Sequence, residues 1–283
     1  MMPKLFFSCL LSLALGCALP ANADGVNVGK PSALRNLVPA AEVEQQSVQQ
    51  YEQLKQQAAA KGALGPDNHP QVKRLRAIAG RMIPLAGRYN PRASQWQWEV
   101  NLIGSKQINA FCMPGGKIAV YTGLIDTLKL TDDELAMVMG HEIAHALREH
   151  ARERMAKSGL AQLGAGLLGE LIGGGQYAGA FRFGGDLLNL KFSRSDESDA
   201  DVVGLDLAAR AGFDPRAGVT LWQKMMAANQ AAPLEFLSTH PAGQNRVKGI
   251  EKHLSEVMPL YEAAKKAEQA AANVVKAAPR KSR

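Results

Sequence analysis

The chain has 283 residues, 46% of them hydrophobic and 21% charged, and a formal net charge of +7. That composition excludes an intrinsically disordered chain and leaves room for one large domain or two small ones. Its Lys and Arg residues are scattered and accompany no nucleic-acid motif, so the charge describes a basic surface and no nucleic-acid partner is expected.

The first 23 residues read as an export signal. Lys4 supplies the positive start, Leu5 to Ala18 the apolar run, and Ala21-Asn22-Ala23 a small-x-small cleavage site. The run is too short to span a membrane. Ala14-Leu15-Gly16-Cys17 also resembles a lipobox, with Ala14 where Leu is usual, so a lipidated Cys17 is the competing outcome. Both readings predict a periplasmic protein, the second one attached to the outer membrane. Cys9 and Cys17 lie in the signal. Cys112 alone remains in a chain cut after Ala23, which excludes an intramolecular disulfide.

Residues 24–40 predict a flexible leader, and 41–61 a helix of strong formers with little apolar face. Val72, Leu75, Ile78, Met82 and Leu85 recur at helical spacing, predicting a helix over 70–89 with Pro84 as a kink. Segments 96–103, 107–112 and 117–122 read as strands, the last two joined by a turn at Met113-Pro-Gly-Gly, and together predict a small antiparallel sheet. Thr131 and Glu134 have the spacing of a capping box. They open a long helix expected to run to at least Lys157. The Gly-rich segment 159–185 reads as a mobile loop or loosely packed helix pair. It is also, beside a lipidated Cys17, a second route to peripheral membrane association. A helix follows over 186–211, ended by Gly212. Asp214-Pro215 starts the next, and another begins after Ser238-Thr-His-Pro. The expected organisation is a signal at 1–23, a leader and helix at 24–65, a main domain at 66–258 and a flexible Ala/Lys-rich tail at 259–283.

His141 and His145 stand four apart. On a helix they differ by about 40° and one turn, so both imidazoles project from one face and can hold one Zn²⁺. Glu142, about 100° round from His141, can reach a metal-held water without ligating. His150 lies on the opposite side of a continuous helix and reads as a solvated or packing residue. Arg148 and Ala151 stand where the elongated metzincin pattern requires Gly and His, which excludes that class. The third ligand must come from another element. In Ser193-Arg-Ser-Asp-Glu-Ser-Asp-Ala-Asp201, Glu197 and Asp201 are again four apart. One can bind the metal while the other accepts the N–H of a ligating imidazole.

His141-Glu-Ile-Ala-His145, the Ser193-Arg194…Glu197-x-x-Ala200-Asp201 segment and Ser238-Thr-His-Pro together resemble the M48 family of zinc metallopeptidases. Asn109-Ala-Phe, Pro114-Gly-Gly and Thr122-Gly-Leu fit the same pattern. The resemblance covers about residues 70–255 and points to soluble bacterial periplasmic or outer-membrane-attached members. It implies an α+β, mainly helical, zincin-like fold with a small antiparallel sheet and an HExxH active-site helix. It further implies one zinc held by His141, His145 and Glu197, Glu142 as general base, and Asp201 behind a ligand.

The expected activity is endoproteolysis of unfolded or misassembled polypeptides, outer-membrane proteins among them. His240 is the expected catalytic polar group near the open metal position, as an oxyanion donor or as a fourth ligand that holds the enzyme latent. Asn109, Ala110 and Phe111, on an edge strand, and Arg246 are the expected substrate contacts. The rival reading is a zinc-stabilised chaperone, against which the intact Glu142 argues.

Overall fold

A computed structural model describes residues 25–163, 187–231, 233–241 and 244–277. The export signal and nearly all of the Gly-rich segment lie outside the described residues. In chain order, α1 (Ala40–Ala60) and α2 (Pro70–Met82) precede β1 (Glu99–Ile103), β2 (Ala110–Met113) and β3 (Lys117–Tyr121). Then come α3 (Thr122–Leu128), α4 (Asp132–Leu147), α5 (His150–Leu163), α6 (Arg194–Arg210), α7 (Ala217–Ala231), α8 (Glu235–Thr239) and α9 (Gln244–Ala277). The expected α+β, mainly helical class is what is found.

The sheet is the middle layer. Ile118 and Val120 of β3 join Val100, Leu102, Ala110 and Cys112 in a core shared with α2 and α4. Ala119 and Tyr121 face the other way, with Tyr51 and Val43 of α1. All five β3 residues are therefore buried, as period-two alternation requires of a strand covered on both faces. The strand order is β1-β3-β2. β2 and β3 pair antiparallel across a turn whose Gly115 and Gly116 both have positive φ, 83° and 81°. β1 and β3 pair parallel. The sheet is thus mixed, not wholly antiparallel. β2 returns one strand's width away from β1, and β3, filling that space opposite to β2, must run with β1.

α4 begins at the expected capping box: Glu134 N–H donates to Thr131 Oγ1 at 3.2 Å and Thr131 N–H to Glu134 Oε2 at 2.9 Å. Every residue from Glu134 to Leu147 is buried. α6 crosses it at Gly140 and Gly204. A Cβ on Gly204 would stand 2.7 Å from Gly140 C and His141 N, and one on Gly140 2.8 Å from Gly204 O. The two backbones therefore touch, which brings the carboxylates of α6 to the histidines of α4.

Besides two short helices that it did not predict, Thr122–Leu128 and Glu235–Thr239, five segments depart from the sequence reading. Residues 25–38 are a fixed strap: Val26 N–H donates to buried Asp206, Val28 packs on Ala144, Ala200 and Val203, and Val38 O accepts from Arg152. Its Val26-Asn-Val alternation is only two apolar residues long, and the rest of the segment, with a 3-10 turn over Ala33–Leu37, keeps no regular period to read. α2 stops at Met82 and tightens into a 3-10 turn over Ile83–Arg88, because Pro84 has no N–H to continue the α ladder. The helix through His145 ends at Leu147, where Glu149 takes φ 59° before α5 begins. The helix expected over 186–211 starts only at Arg194, on a capping box formed by Ser193 and Asp196. The tail expected to be flexible continues α9 to Ala277, since Ala, Lys, Glu and Gln are all strong helix formers. Among the described residues no helix is long and apolar enough to cross a membrane.

Candidate metal centre

Four buried side chains converge where α4, α6 and the end of α8 meet: His141, His145, Glu197 and His240. One donor atom from each lies within 4.8 Å of all the others. His145 Nε2 is 3.1 Å from His141 Nε2 and 3.4 Å from Glu197 Oε1, and His141 Nε2 is 3.6 Å from Glu197 Oε2. His240 Nδ1 lies 3.4 Å from His141 Nε2 and 3.0 Å from Glu197 Oε1. A tetrahedron of N/O donors about 2.0–2.1 Å from zinc has edges of about 3.3 Å. Three imidazoles and a carboxylate at these separations fit that ion in size and in donor chemistry.

The set is held from behind. His141 Nδ1 is 3.0 Å from Asp201 Oδ1. Arg246, from α9, donates through Nη2 to Asp201 Oδ1 at 2.5 Å, through Nε to Asp201 Oδ2 at 2.6 Å and through Nη1 to Glu197 Oε2 at 2.5 Å. Its guanidinium lies 3.7 Å from the centroid of the Trp222 ring. Buried charges need such pairing.

Charges follow the packing. Burial and Arg246 push the His141 imidazole down, but Asp201 and Glu197 outweigh them and raise its pKa to about 9 in the metal-free chain. Burial, opposed by the contact with Glu197 and reinforced by the neighbouring His141, His150 and His240, holds His145 well below its ordinary value and keeps it neutral. Burial opposes ionisation of Glu197, yet its three histidine partners hold it ionised. Glu142 is raised, chiefly by burial. Its Oε1 is buried and has no hydrogen-bond partner; the nearest ring nitrogen, His240 Nε2, is 3.7 Å away. An orphaned carboxylate oxygen beside a metal-type donor set fits a water between them.

The residues expected at the substrate edge are less exposed to that centre. Ala110 lies on β2, an edge strand, and its N–H is taken by Asn109 Oδ1 at 2.9 Å. The Phe111 ring meets Tyr51 edge-on at 6.3 Å and Tyr121 at 6.4 Å, on the sheet face away from α4. Arg246 lies behind the donors, with its guanidinium on two carboxylates.

Three neighbours escaped the sequence reading. Phe236 stacks on His240 with centroids 4.5 Å apart. Phe192 lies 4.0 Å from the His145 ring. His150 is buried, not solvated, with Nδ1 3.0 Å from His145 Nδ1 and Nε2 3.1 Å from Asp199 Oδ2. The helix break at Glu149 swings it back toward the site. A continuous helix would have pointed it away.

Peptidase family M48 matches residues 69–254, well over half of the chain. Mitochondrial metalloendopeptidase OMA1 of Schizosaccharomyces pombe is 36% identical over 200 residues, covering 68% of this chain and 55% of its own length. Metalloprotease LoiP of Escherichia coli is 28% identical over 71% of this chain and 77% of its own length. The beta-barrel assembly-enhancing protease of Yersinia pestis is 31% identical over 66% of this chain and 43% of its own. The chain thus spans little more than half the length of the fission-yeast relative.

Proposed function

Because the chain belongs to peptidase family M48, we propose that it is a zinc-dependent endopeptidase of the bacterial cell envelope that cleaves unfolded or misassembled polypeptides. The observation that carries this reading is the orphaned Glu142 Oε1 beside four convergent donors. A purely structural zinc site needs no such carboxylate. The envelope assignment is supported by the export-type leader and by two bacterial relatives, one named for β-barrel assembly. Outer-membrane proteins in transit are the corresponding substrate class.

His141, His145 and Glu197 would hold the ion, with Asp201 placed to accept the His141 Nδ1–H and fix its tautomer. Bound zinc supplies Lewis-acid polarisation of the scissile carbonyl and lowers the pKa of the attacking water. Glu142 takes that water's proton on its free Oε1 and delivers it to the leaving amine. A carboxyl raised by burial suits both halves of that transfer. Arg246, read from the sequence as a substrate contact, is assigned to positioning, because it ties Glu197 and Asp201 together. An extended substrate adds along β2, where Asn109 yields the Ala110 N–H to the incoming backbone.

His240 Nδ1 stands close enough to the other donors that it would compete with substrate and water for a bound ion, which would leave the resting enzyme latent. Its release is part of activation. The same closure favours the chaperone reading, in which turnover is low throughout. The test is cleavage of an unfolded protein such as casein by the zinc-loaded chain and by its His240→Ala variant, with Glu142→Gln in the envelope to reveal which proteins accumulate. Casein left intact by both zinc-loaded forms would sink the endopeptidase reading and leave the chaperone.

A further inference from the structure

We propose that His150 and Asp199 are positioning residues for the metal centre, forming a relay Asp199–His150–His145 that fixes which nitrogen of His145 faces the ion. The inference rests on the metal-centre reading above and adds to it two residues outside the donor set.

The proton positions follow from the partners. His150 Nε2 is 3.1 Å from Asp199 Oδ2. An ionised carboxylate only accepts, so His150 Nε2 carries the hydrogen. With one hydrogen on the ring the other nitrogen is a lone pair, which places His150 Nδ1 to accept. The group 3.0 Å from it is His145 Nδ1, which must donate. That leaves the lone pair of His145 on Nε2, the atom facing His141 and Glu197. Each atom has one role, and the chain of roles ends on the ligating nitrogen. His141 gets the same instruction directly from Asp201. For His145 it passes through a second imidazole, His150, which stands between it and Asp199.

The local fold is built around this relay. Arg148 holds Asp199 Oδ2 at 2.5 Å and reaches the strap at Gly29 O, 2.6 Å away. Helix α4 stops between His145 and His150, with the Leu147 carbonyl capped by the Asn90 carboxamide at 3.0 Å. Glu149, at φ 59°, is pinned by Arg152 and by Arg35. A non-glycine residue in the left-handed region is strained and persists only where its surroundings hold it. Here its result is that His150 turns back under His145.

The experiment is a zinc titration by chelator competition on the full chain and on His150→Phe, His150→Gln and Asp199→Ala, with thermal unfolding of each metal-free form. The expected result is zinc affinity about 10–100-fold weaker in His150→Phe and Asp199→Ala, the range for loss of such a supporting group. His150→Gln should recover most of it, since its carbonyl can accept the His145 Nδ1–H. Equal zinc affinity in His150→Phe and the parent overturns the relay alone. A parent chain that takes up no zinc overturns the metal centre and the relay with it. The parent also gives a reading that needs no variant: imidazole ¹⁵N shifts of the zinc-loaded chain should show His145 Nδ1 protonated and His150 Nδ1 unprotonated. An unprotonated His145 Nδ1 overturns the proposal.

Discussion

Glu142 Oε1 lies 3.7 Å from His240 Nε2, buried and without a hydrogen-bond partner. A buried acceptor left open in this way is poised for a proton that is not yet there. Glu142→Gln removes the proton transfer but keeps shape and leaves every donor in place. Zinc should stay near one per chain while cleavage of casein falls by about 10²–10⁴-fold, the range of a general base. Metal analysis and cleavage on the same preparation test both halves; equal cleavage would remove Glu142 from the chemistry.

The crossing of α4 and α6 makes a second prediction. Gly204→Ala places a methyl 2.7 Å from the Gly140 and His141 backbone, where nothing flexible can give way. The helices must part, which should cost about 1–3 kcal/mol and draw Glu197 away from the histidines. The urea midpoint and the zinc affinity should therefore fall together. Gly80→Ala in α2, with nothing within 4 Å of its new Cβ, is the control and should gain about 0.5–1 kcal/mol. A Gly204→Ala chain as stable as the parent and binding zinc equally would show that the close approach is not needed.

What the sequence discloses of this site follows spacing. His141 and His145 are legible because one helix fixes both, and Glu197 with Asp201 because another does. Gly140 and Gly204 sit within those helices without any local sign that they face each other. The break at Glu149 is illegible for a sharper reason. A left-handed helix end is usually announced by Gly or Asn, and here the conformation is held instead by Arg35 and Arg152 from distant segments. With the break goes the role of His150. The mixed sheet has the same origin: strand propensity marks β1, β2 and β3 but not that β3, rather than β2, pairs with β1.

The pKa of His141 predicts how metal binding responds to pH. Ligation requires neutral imidazole, and in the metal-free chain His141 holds its proton up to about pH 9. Below that pH zinc must displace the proton, so apparent affinity should rise about tenfold per pH unit and level off above it. The stability of the metal-free chain has the opposite sign. A folded-state pKa raised above 6.5 stabilises fully below pH 6.5, and that contribution is lost as pH rises through about 9. Zinc titrations and metal-free melting curves from pH 6 to 9.5 measure both. Zinc affinity that is flat across the range would mean that no ligand carries a proton to displace.

His240 gives the last prediction. It sits at the C-terminal end of α8, its N–H bonded to Phe236 O at 2.9 Å and its ring stacked on Phe236. The α8 segment is tied across the site, with Phe236 N–H on Ile108 O at 3.1 Å and Thr239 O accepting from Phe192 N–H at 3.2 Å. An oxyanion donor has to stand off from the ion to leave room for substrate. His240 Nδ1 instead stands at the separation of a fourth tetrahedral donor, 3.0 Å from Glu197 Oε1 and 3.4 Å from His141 Nε2. An imidazole that filled the fourth position would compete there with water and substrate. His240→Ala should therefore weaken zinc binding and raise casein cleavage at saturating zinc. X-ray absorption at the zinc edge should count three nitrogen ligands in the parent and two in the variant. A variant with slower cleavage and an unchanged nitrogen count would place His240 beside the ion as a transition-state donor, and latency would have to be sought elsewhere.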